Sequence, residues 1–192
     1  MTGELGYRAE DFTVSLPVTE YIAGFRDAER FLGFCRECGN YGRSWGCPPF
    51  DCDIEARLRS FRDILLVATR IEPTEKGLPM SLSRALIRPE RIRLENSLRE
   101  LEKRYGGLSC SYVGSCLYCP EGTCTRPEGG VCRHPELVRS SLEAFGFDIG
   151  RTVSELFGME LEWGRDGKMP DCLTLVCGFF HNSDKEIVWP RV

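Results

Sequence analysis

The sequence predicts an α+β fold, and three observations support that prediction. Residues 63–71 (DILLVATRI) are a continuous run of apolar and branched side chains, which indicates a buried strand. Residues 81–104 place leucines at helical spacing, which indicates an amphipathic helix. Strand-like and helix-like segments are mixed along the chain and are interrupted by two cysteine-rich loops, at 35–52 and 116–132. The 192 residues are expected to form a single metal-binding domain, 1–192.

Five segments are predicted to be extended. The strand at 63–71 is closed by Pro73, and residues 12–18 form a shorter extended segment interrupted by Pro17. The remaining candidates are residues 108–113, 160–163 and 173–180, and a polar turn at 164–170 separates the last two.

Four segments are predicted to be helical. Residues 27–34 form a short helix that Asp27 can cap, and residues 53–61 form another. The helix over 81–104 is expected to break near Pro89, to stop at Gly106, and to carry its arginines on a solvated face. Its predicted pairs are Glu95 with Arg99 and Glu100 with Arg104. A fourth helix is predicted from Pro135 to Phe145, ending at Gly146.

Composition excludes several classes of protein. The chain is 42 % hydrophobic and 28 % charged with a formal net charge of -4, so neither disorder nor a generally basic surface for nucleic acid or anionic lipid is expected. No apolar run approaches the roughly 18 residues that span a bilayer. Residues 1–20 lack the apolar stretch of a signal peptide. The expected location is the cytoplasm, and the sequence does not predict an oligomeric state.

Eleven cysteines stand out from this ordinary composition. A reducing cytoplasm disfavours structural disulfides, so the pattern points to metal binding or catalysis. His134 and His181 are the only histidines, and any site therefore has to be built almost wholly from thiolates. Sulfur-rich sites favour iron–sulfur clusters or zinc.

The cysteines fall into two sets and a remainder. The first set is Cys35-x2-Cys38-x8-Cys47, with Cys52 nearby as a further candidate ligand, and the second set is Cys116, Cys119, Cys124 and Cys132. A Cys-x2-Cys pair brings two sulfurs to one metal from a single turn, and glycines between the thiols let the backbone fold around it. The Cys-Pro steps are similar to those of bacterial ferredoxins, although the spacing differs. Cys110, Cys172 and Cys177 are expected to be ordinary core thiols.

The strings FLGFCRECGNYGRSWGCPPFDCD, GSCLYCPEGTC, VCRHPELVRSSLEAFGFDI and MPDCLTLVCGFF resemble the predicted metal-binding proteins called domain of unknown function 2284. The resemblance runs in order from about Phe25 to Phe180. It implies a metal or iron–sulfur protein of a kind frequent in anaerobes, with no settled reaction. Its motifs fall on Cys35, Cys38 and Cys47 and on Cys116, Cys119, Cys124 and Cys132, whereas Cys52, Cys172 and Cys177 depart from its pattern.

The seven motif cysteines comprise three in the first set and four in the second set. Our hypothesis is that the second set fully ligates a 4Fe-4S cluster, whereas the first set holds a cluster with one iron open. A fourth thiolate from Cys52 or Cys110 would close that position.

Basic and aromatic residues accompany both loops. Arg36, Arg43, Arg126, Arg133 and His134 are candidates to offset the negative charge of a thiolate-ligated cluster, and plain surface arginines are the alternative. Tyr41 and Trp45 are expected to shield the first set from water.

Three functions remain open at the level of sequence. The first is a cytoplasmic iron–sulfur protein that binds one or two 4Fe-4S clusters and passes electrons to a partner protein or assists a redox enzyme. The second is an interaction module whose metal, zinc, only stabilises the fold. The third is an enzyme that uses an open iron at the first set. No phosphate-binding loop, dinucleotide fingerprint or Cys-x3-Cys-x2-Cys triplet supports other chemistry.

Overall fold

The computed structural model describes residues 5–111, 114 and 116–190. Its four strands are β1 (Tyr7–Pro17), β2 (Asp63–Pro73), β3 (Leu108–Cys110) and β4 (Leu173–His181). Its α-helices are α1 (Val18–Phe25), α2 (Ala28–Glu37), α3 (Ile54–Arg59), α4 (Ser83–Tyr105) and α5 (Ile149–Phe157). Short 3-10 helices occupy Met80–Leu82, Arg126–Glu128 and Glu143–Phe145. The predicted α+β class is confirmed.

The strands form one antiparallel sheet in the order β1-β2-β4-β3. β2 lies inside the sheet, where Val67 faces Thr13 of β1 on one side and Cys177 of β4 on the other. Neighbouring side chains of a strand point to opposite faces, and Ile64 and Leu65 accordingly belong to different hydrophobic clusters. Burial on both faces explains why the sequence of β2 is an unbroken apolar run rather than an alternating one.

Each face of the sheet is covered by helices or loops. On one face, Tyr21 of α1 stacks on Phe147 with ring centroids 4.3 Å apart, and Phe180 of β4 joins the same cluster. On the other face, α4 packs its leucines, including Leu94 and Leu98, against β2 and β4. None of the seven motif cysteines belongs to either cluster, although Phe50 of the first cysteine loop packs against the cluster that contains Tyr21. The hydrophobic core therefore supports the cysteine loops without including their thiols.

The predicted strands agree with the structure except for one. β1, β2 and β4 are confirmed, with β1 beginning earlier, at Tyr7. β3 covers Leu108–Cys110, and positions 112 and 113 of that prediction lie outside the described residues. The strand predicted at 160–163 is wrong, because this segment follows α5 without joining the sheet.

The helices that begin at Asp27 and Asp53 are confirmed, and both aspartates accept a hydrogen bond from a backbone N–H in the first turn of the helix. The predicted break near Pro89 is wrong, since α4 continues through that residue. Proline removes only one backbone donor there, and Leu86 and Leu94 are buried on either side of it.

The predicted surface pairs of α4 are also wrong. Glu95 is buried and pairs with Arg91 at 2.9 Å, and Glu100 pairs with Lys103. The expected solvated arginine face is therefore only partial, because Arg91 is buried as well.

The helix predicted over 135–145 is wrong, and only its end forms a 3-10 turn at Glu143–Phe145. The backbone of this segment has other partners: Ser141 forms a parallel bridge with Ser111, and the Ser111 N–H donates to the Ser140 carbonyl at 2.9 Å. The Arg139 side chain is held by Glu102 at 2.5 Å. These long-range contacts outweigh the helical periodicity. Two helices that the sequence analysis did not predict, α1 and α5, complete the fold.

Candidate metal centre

The first cysteine loop begins inside a helix. Cys35 lies in the last turn of α2, and Cys38 is the residue at which that helix ends, with its N–H donating to the Cys35 carbonyl at 3.1 Å. The chain then turns through Gly42, whose φ of +67° suits glycine, and its N–H donates to the Pro48 carbonyl at 2.9 Å. This closed turn places Cys47 beside the end of α2.

The three thiols of the first set line one cavity of about 70 Å³. Tyr41, which was expected to shield these thiols from water, also lines this cavity. Residues far away in sequence complete the wall. One of them, Cys116, was predicted as a ligand of the second set, whereas the others were not predicted and include Arg91, Glu95, Tyr118, Arg139 and Glu143.

The second cysteine loop is a chain of short turns. The Thr123 N–H donates to the Pro120 carbonyl at 3.1 Å, and the Gly130 N–H donates to the Thr125 carbonyl at 3.0 Å. A backbone donor reaches one thiol directly, since the His134 N–H lies 3.4 Å from Cys132 Sγ. Amide donors to sulfur stabilise negative charge on the sulfur, which is the arrangement found around iron–sulfur clusters.

All four thiols of the second set line a second and larger cavity of about 960 Å³. Cys116 lines both cavities and so lies between the two sets. The spacing and the family resemblance assign Cys116 to the second set, whereas the structure places it in the lining of both cavities.

Burial disfavours ionisation of the site thiols. It raises the pKa of Cys35, Cys47 and Cys116, and neighbouring thiols of the two sets raise these pKa values further. A hydrogen bond from Ser44 and the charge of Arg126 act in the opposite direction on Cys47. Because thiolate is the form that binds metal, binding at these thiols would release protons.

Arg126 joins the two loops. Its side chain extends from the second loop into the first, where the guanidinium donates to the backbone carbonyls of Ser44, Cys47 and Pro49. It also lies over the Trp45 ring, 5.2 Å from the ring centroid. A charged planar donor that satisfies several carbonyls fixes the shape of the first loop.

A second link runs through Thr125. The Trp45 indole N–H donates to Thr125 Oγ1 at 3.3 Å, and that hydroxyl donates to the Val131 carbonyl at 2.7 Å. Trp45 was expected to shield the first set, but it lines the second cavity instead.

Cationic side chains surround the second cavity. Of the basic residues predicted from sequence, Arg43, Arg133 and His134 line it, whereas Arg36 lines neither cavity. Arg84 and Arg88 of α4 also line it and were missed, because nothing in the local sequence of a helix indicates a distant loop. Glu121 is an acidic residue of the same lining and lies 3.9 Å from Arg84.

The remaining cysteines lie apart from both cavities. Cys52 is exposed and lines neither of them. Cys110, Cys172 and Cys177 are buried, which confirms that they are core thiols, and burial raises the pKa of Cys110 and Cys177 far above the usual range. Neither candidate for the fourth thiolate of the first set, Cys52 or Cys110, therefore lies in that wall.

The donor chemistry fits a thiophilic metal or cluster, since seven thiols line two adjoining cavities. Within the described part of the chain, no three Cys, His, Asp or Glu side chains are already arranged as a group that could hold a metal ion. Within the same residues, no helix is both long and apolar enough to cross a membrane.

The comparisons agree with this chemistry. A family model described as "Predicted metal-binding protein (DUF2284)" matches residues 24–177 of the chain. No curated protein and no solved structure shows a significant match to the chain.

Proposed function

The chain belongs to the DUF2284 family of predicted metal-binding proteins, and from that premise we propose that it is an iron–sulfur protein with two 4Fe-4S centres. In this proposal, Cys116, Cys119, Cys124 and Cys132 hold one cluster, and Cys35, Cys38 and Cys47 hold the other. The protein would exchange electrons with a partner protein or serve as a redox accessory to an enzyme.

One observation carries the proposal: the seven motif thiols line two adjoining cavities rather than being scattered over the surface. Four thiolates, as in the second set, suit either a structural zinc ion or a 4Fe-4S cluster, whereas the three thiolates of the first set suit a cluster with one iron left open. Adjoining centres are suited to passing electrons from one to the other.

The surroundings of the second cavity support the same proposal. Thiolate-ligated clusters are anionic, and the arginines that line this cavity supply positive charge in a protein whose formal net charge is -4. The N–H of His134 at Cys132 Sγ adds a hydrogen bond of the kind that raises the reduction potential of a cluster.

Anaerobic purification tests the proposal. We expect a brown protein with about eight iron atoms and eight acid-labile sulfides per chain, since each of two cubane clusters carries four of each. A colourless protein that contains zinc and no sulfide would exclude the clusters and favour the zinc-stabilised interaction module.

Replacement of a single cysteine tests whether the second set of thiols holds a cluster of its own. Replacement of Cys124, which lines only the second cavity, by Ser should remove about half of the iron and sulfide. The matched control is Cys52→Ser, which should leave the iron content unchanged because Cys52 lines neither cavity.

A further inference from the structure

We propose that Glu143 supplies a carboxylate oxygen to the metal centre of the first set, beside the thiolates of Cys35, Cys38 and Cys47. The inference rests on the proposed function, because it requires a metal at these thiols. It gives the open position of the first set an oxygen ligand in place of a fourth sulfur.

The first supporting observation is that one oxygen of the Glu143 carboxyl group is unsatisfied, although Ser141 and the backbone N–H of Glu143 supply hydrogen bonds to the group. Its Oε2 atom is buried, yet it has no hydrogen-bond partner. Buried polar atoms without a partner are rare because each one costs the desolvation of the group without compensation. Glu143 is one of the residues that line the cavity of the first set, so a metal bound there would offer a partner to this oxygen.

The second observation is that the cations of the same wall are already paired. Arg139 is held by Glu102 at 2.5 Å, and Arg91 is held by Glu95 at 2.9 Å. Glu95 also accepts hydrogen bonds from Ser111 and Tyr118. Glu143 differs from these carboxylates because, among the described residues, no salt bridge to it is formed and its Oε2 has no hydrogen-bond partner.

The third observation is that the backbone holds Glu143 in place. It begins a 3-10 helix between Leu142, which is fully buried, and Phe145, which packs in the same core cluster. Arg26 Nε donates to the Phe145 carbonyl at 2.8 Å. Gly146 then turns with a φ of +91° so close to Ala28 that a Cβ atom at Gly146 would lie 2.7 Å from the Ala28 Cα. A carboxylate on such an anchored turn is preorganised for a ligand.

The chemistry of the donor set is consistent with this role. Iron and zinc accept carboxylate oxygen as well as thiolate, but oxygen is the harder donor and binds these thiophilic sites less firmly than sulfur. A centre with three thiolates and one carboxylate would have one ligand that is more readily displaced than the others. An external ligand would therefore enter at the side of Glu143.

Replacement of Glu143 by Met and by Cys tests the proposal in the anaerobically prepared full-length protein. Met has a similar length and a weakly coordinating thioether. Glu143→Met should therefore weaken metal retention at the first set at least about tenfold against a chelator, and it should alter the electron paramagnetic resonance spectrum of the reduced protein. Glu143→Cys should retain the metal and show a third spectrum, because it restores a strong ligand of different chemistry.

Two controls separate ligation from a structural role. Cys52→Ser should retain the wild-type spectrum and metal content, since Cys52 is outside the cavity. In the metal-free protein, Glu143→Met should leave the melting temperature unchanged or raise it, because it removes a buried carboxyl group whose Oε2 has no hydrogen-bond partner. A Met variant that melts lower without metal would identify a structural role and overturn the proposal.

The remaining outcomes are also decisive. If both Glu143 variants match the wild type in metal retention and in spectrum while the wild type contains iron and sulfide, the proposal is wrong and the proposed function stands. If the wild type contains neither iron nor zinc, the proposed function fails and this inference fails with it.

Discussion

His181 is a buried imidazole that makes the stability of the protein depend on pH. It is the last residue of β4, stacks on Phe179 with ring centroids 5.7 Å apart, and has no hydrogen-bond partner at Nδ1. Burial lowers its pKa, Asp63 opposes this shift, and Arg62 adds to it. The folded protein therefore favours the neutral ring.

We expect the free energy of unfolding to fall as the pH drops below about 7, because the ordinary pKa of histidine is about 6.5 and the unfolded chain takes up the proton first. The decrease should level off below the pKa of the folded state. His181→Phe, which keeps a ring of similar shape, should remove this part of the dependence. Urea unfolding of both proteins between about pH 7.5 and pH 5.5 measures it, and equal losses in the two proteins would contradict the prediction.

At the scale of single residues, the thiols could be predicted from sequence but their neighbours could not. Cysteine spacing is a local signal, and it correctly separated the core thiol Cys177 from the cysteines that line the cavities. Glu143 and Arg88 give no local signal. Both reach the cavities only through the packing of distant segments.

Gly46 determines how closely the first cysteine loop approaches the segment that carries Glu143. A Cβ atom at this position would lie 2.9 Å from the Arg139 carbonyl oxygen and 3.5 Å from Val138 Cγ1. The Arg139 carbonyl belongs to the backbone, so it cannot move out of the way of a Cβ atom as a flexible side chain could. The absence of a side chain at Gly46 therefore allows the two walls of the first cavity to meet.

Gly46→Ala should push the loop away from this segment. We expect a loss of about 1–3 kcal/mol in the free energy of unfolding and a lower metal content at the first set, measured by denaturant unfolding and by iron analysis. Gly39→Ala is the matched control in the same loop, because nothing lies within 4 Å of its Cβ position. It should change stability by less than about 0.5 kcal/mol, and equal effects of the two substitutions would argue against the close approach.

Among the elements, those with strong local signals were predicted correctly. β2 and β4 are apolar runs, and the aspartates before α2 and α3 are capping residues. The segment at 135–145 was predicted as a helix because its apolar residues recur at helical spacing. In the structure, Leu142 reaches the core from the turn that precedes the 3-10 helix, where its φ is -62° and its ψ is -38°, and Phe145 reaches it from the 3-10 helix itself. The helical spacing of these apolar residues therefore does not come from a continuous helix.

At the scale of the whole molecule, the hydrophobic core around the sheet is distinct from the thiols of the two cysteine loops. The two hydrophobic clusters that cover the sheet contain none of the seven thiols that line the cavities. Most of the apolar burial therefore forms without metal, and the loops gain the most from ligation.

Removal of metal by a chelator should leave the far-ultraviolet circular dichroism nearly unchanged while the loops open. Cleavage by trypsin after Arg43 and Arg133, which are exposed in the loops, should become faster by about tenfold or more. Cleavage after Arg99, within α4, should remain slow. Loss of the helical signal on chelation would show instead that the hydrophobic core around the sheet also depends on metal.

Because Arg126 of the second loop holds backbone carbonyls of the first loop, the first cysteine motif alone would not keep its shape in another protein or in a peptide. A peptide that copies residues 35–52 would carry the three thiols but lose the guanidinium that holds the carbonyls of Ser44, Cys47 and Pro49. A copy of the second loop would keep Arg126 but leave it without those acceptors. A smaller protein that reproduces this centre would have to include both loops together with the sheet and helices that fix the distance between them. That requirement amounts to nearly the whole chain.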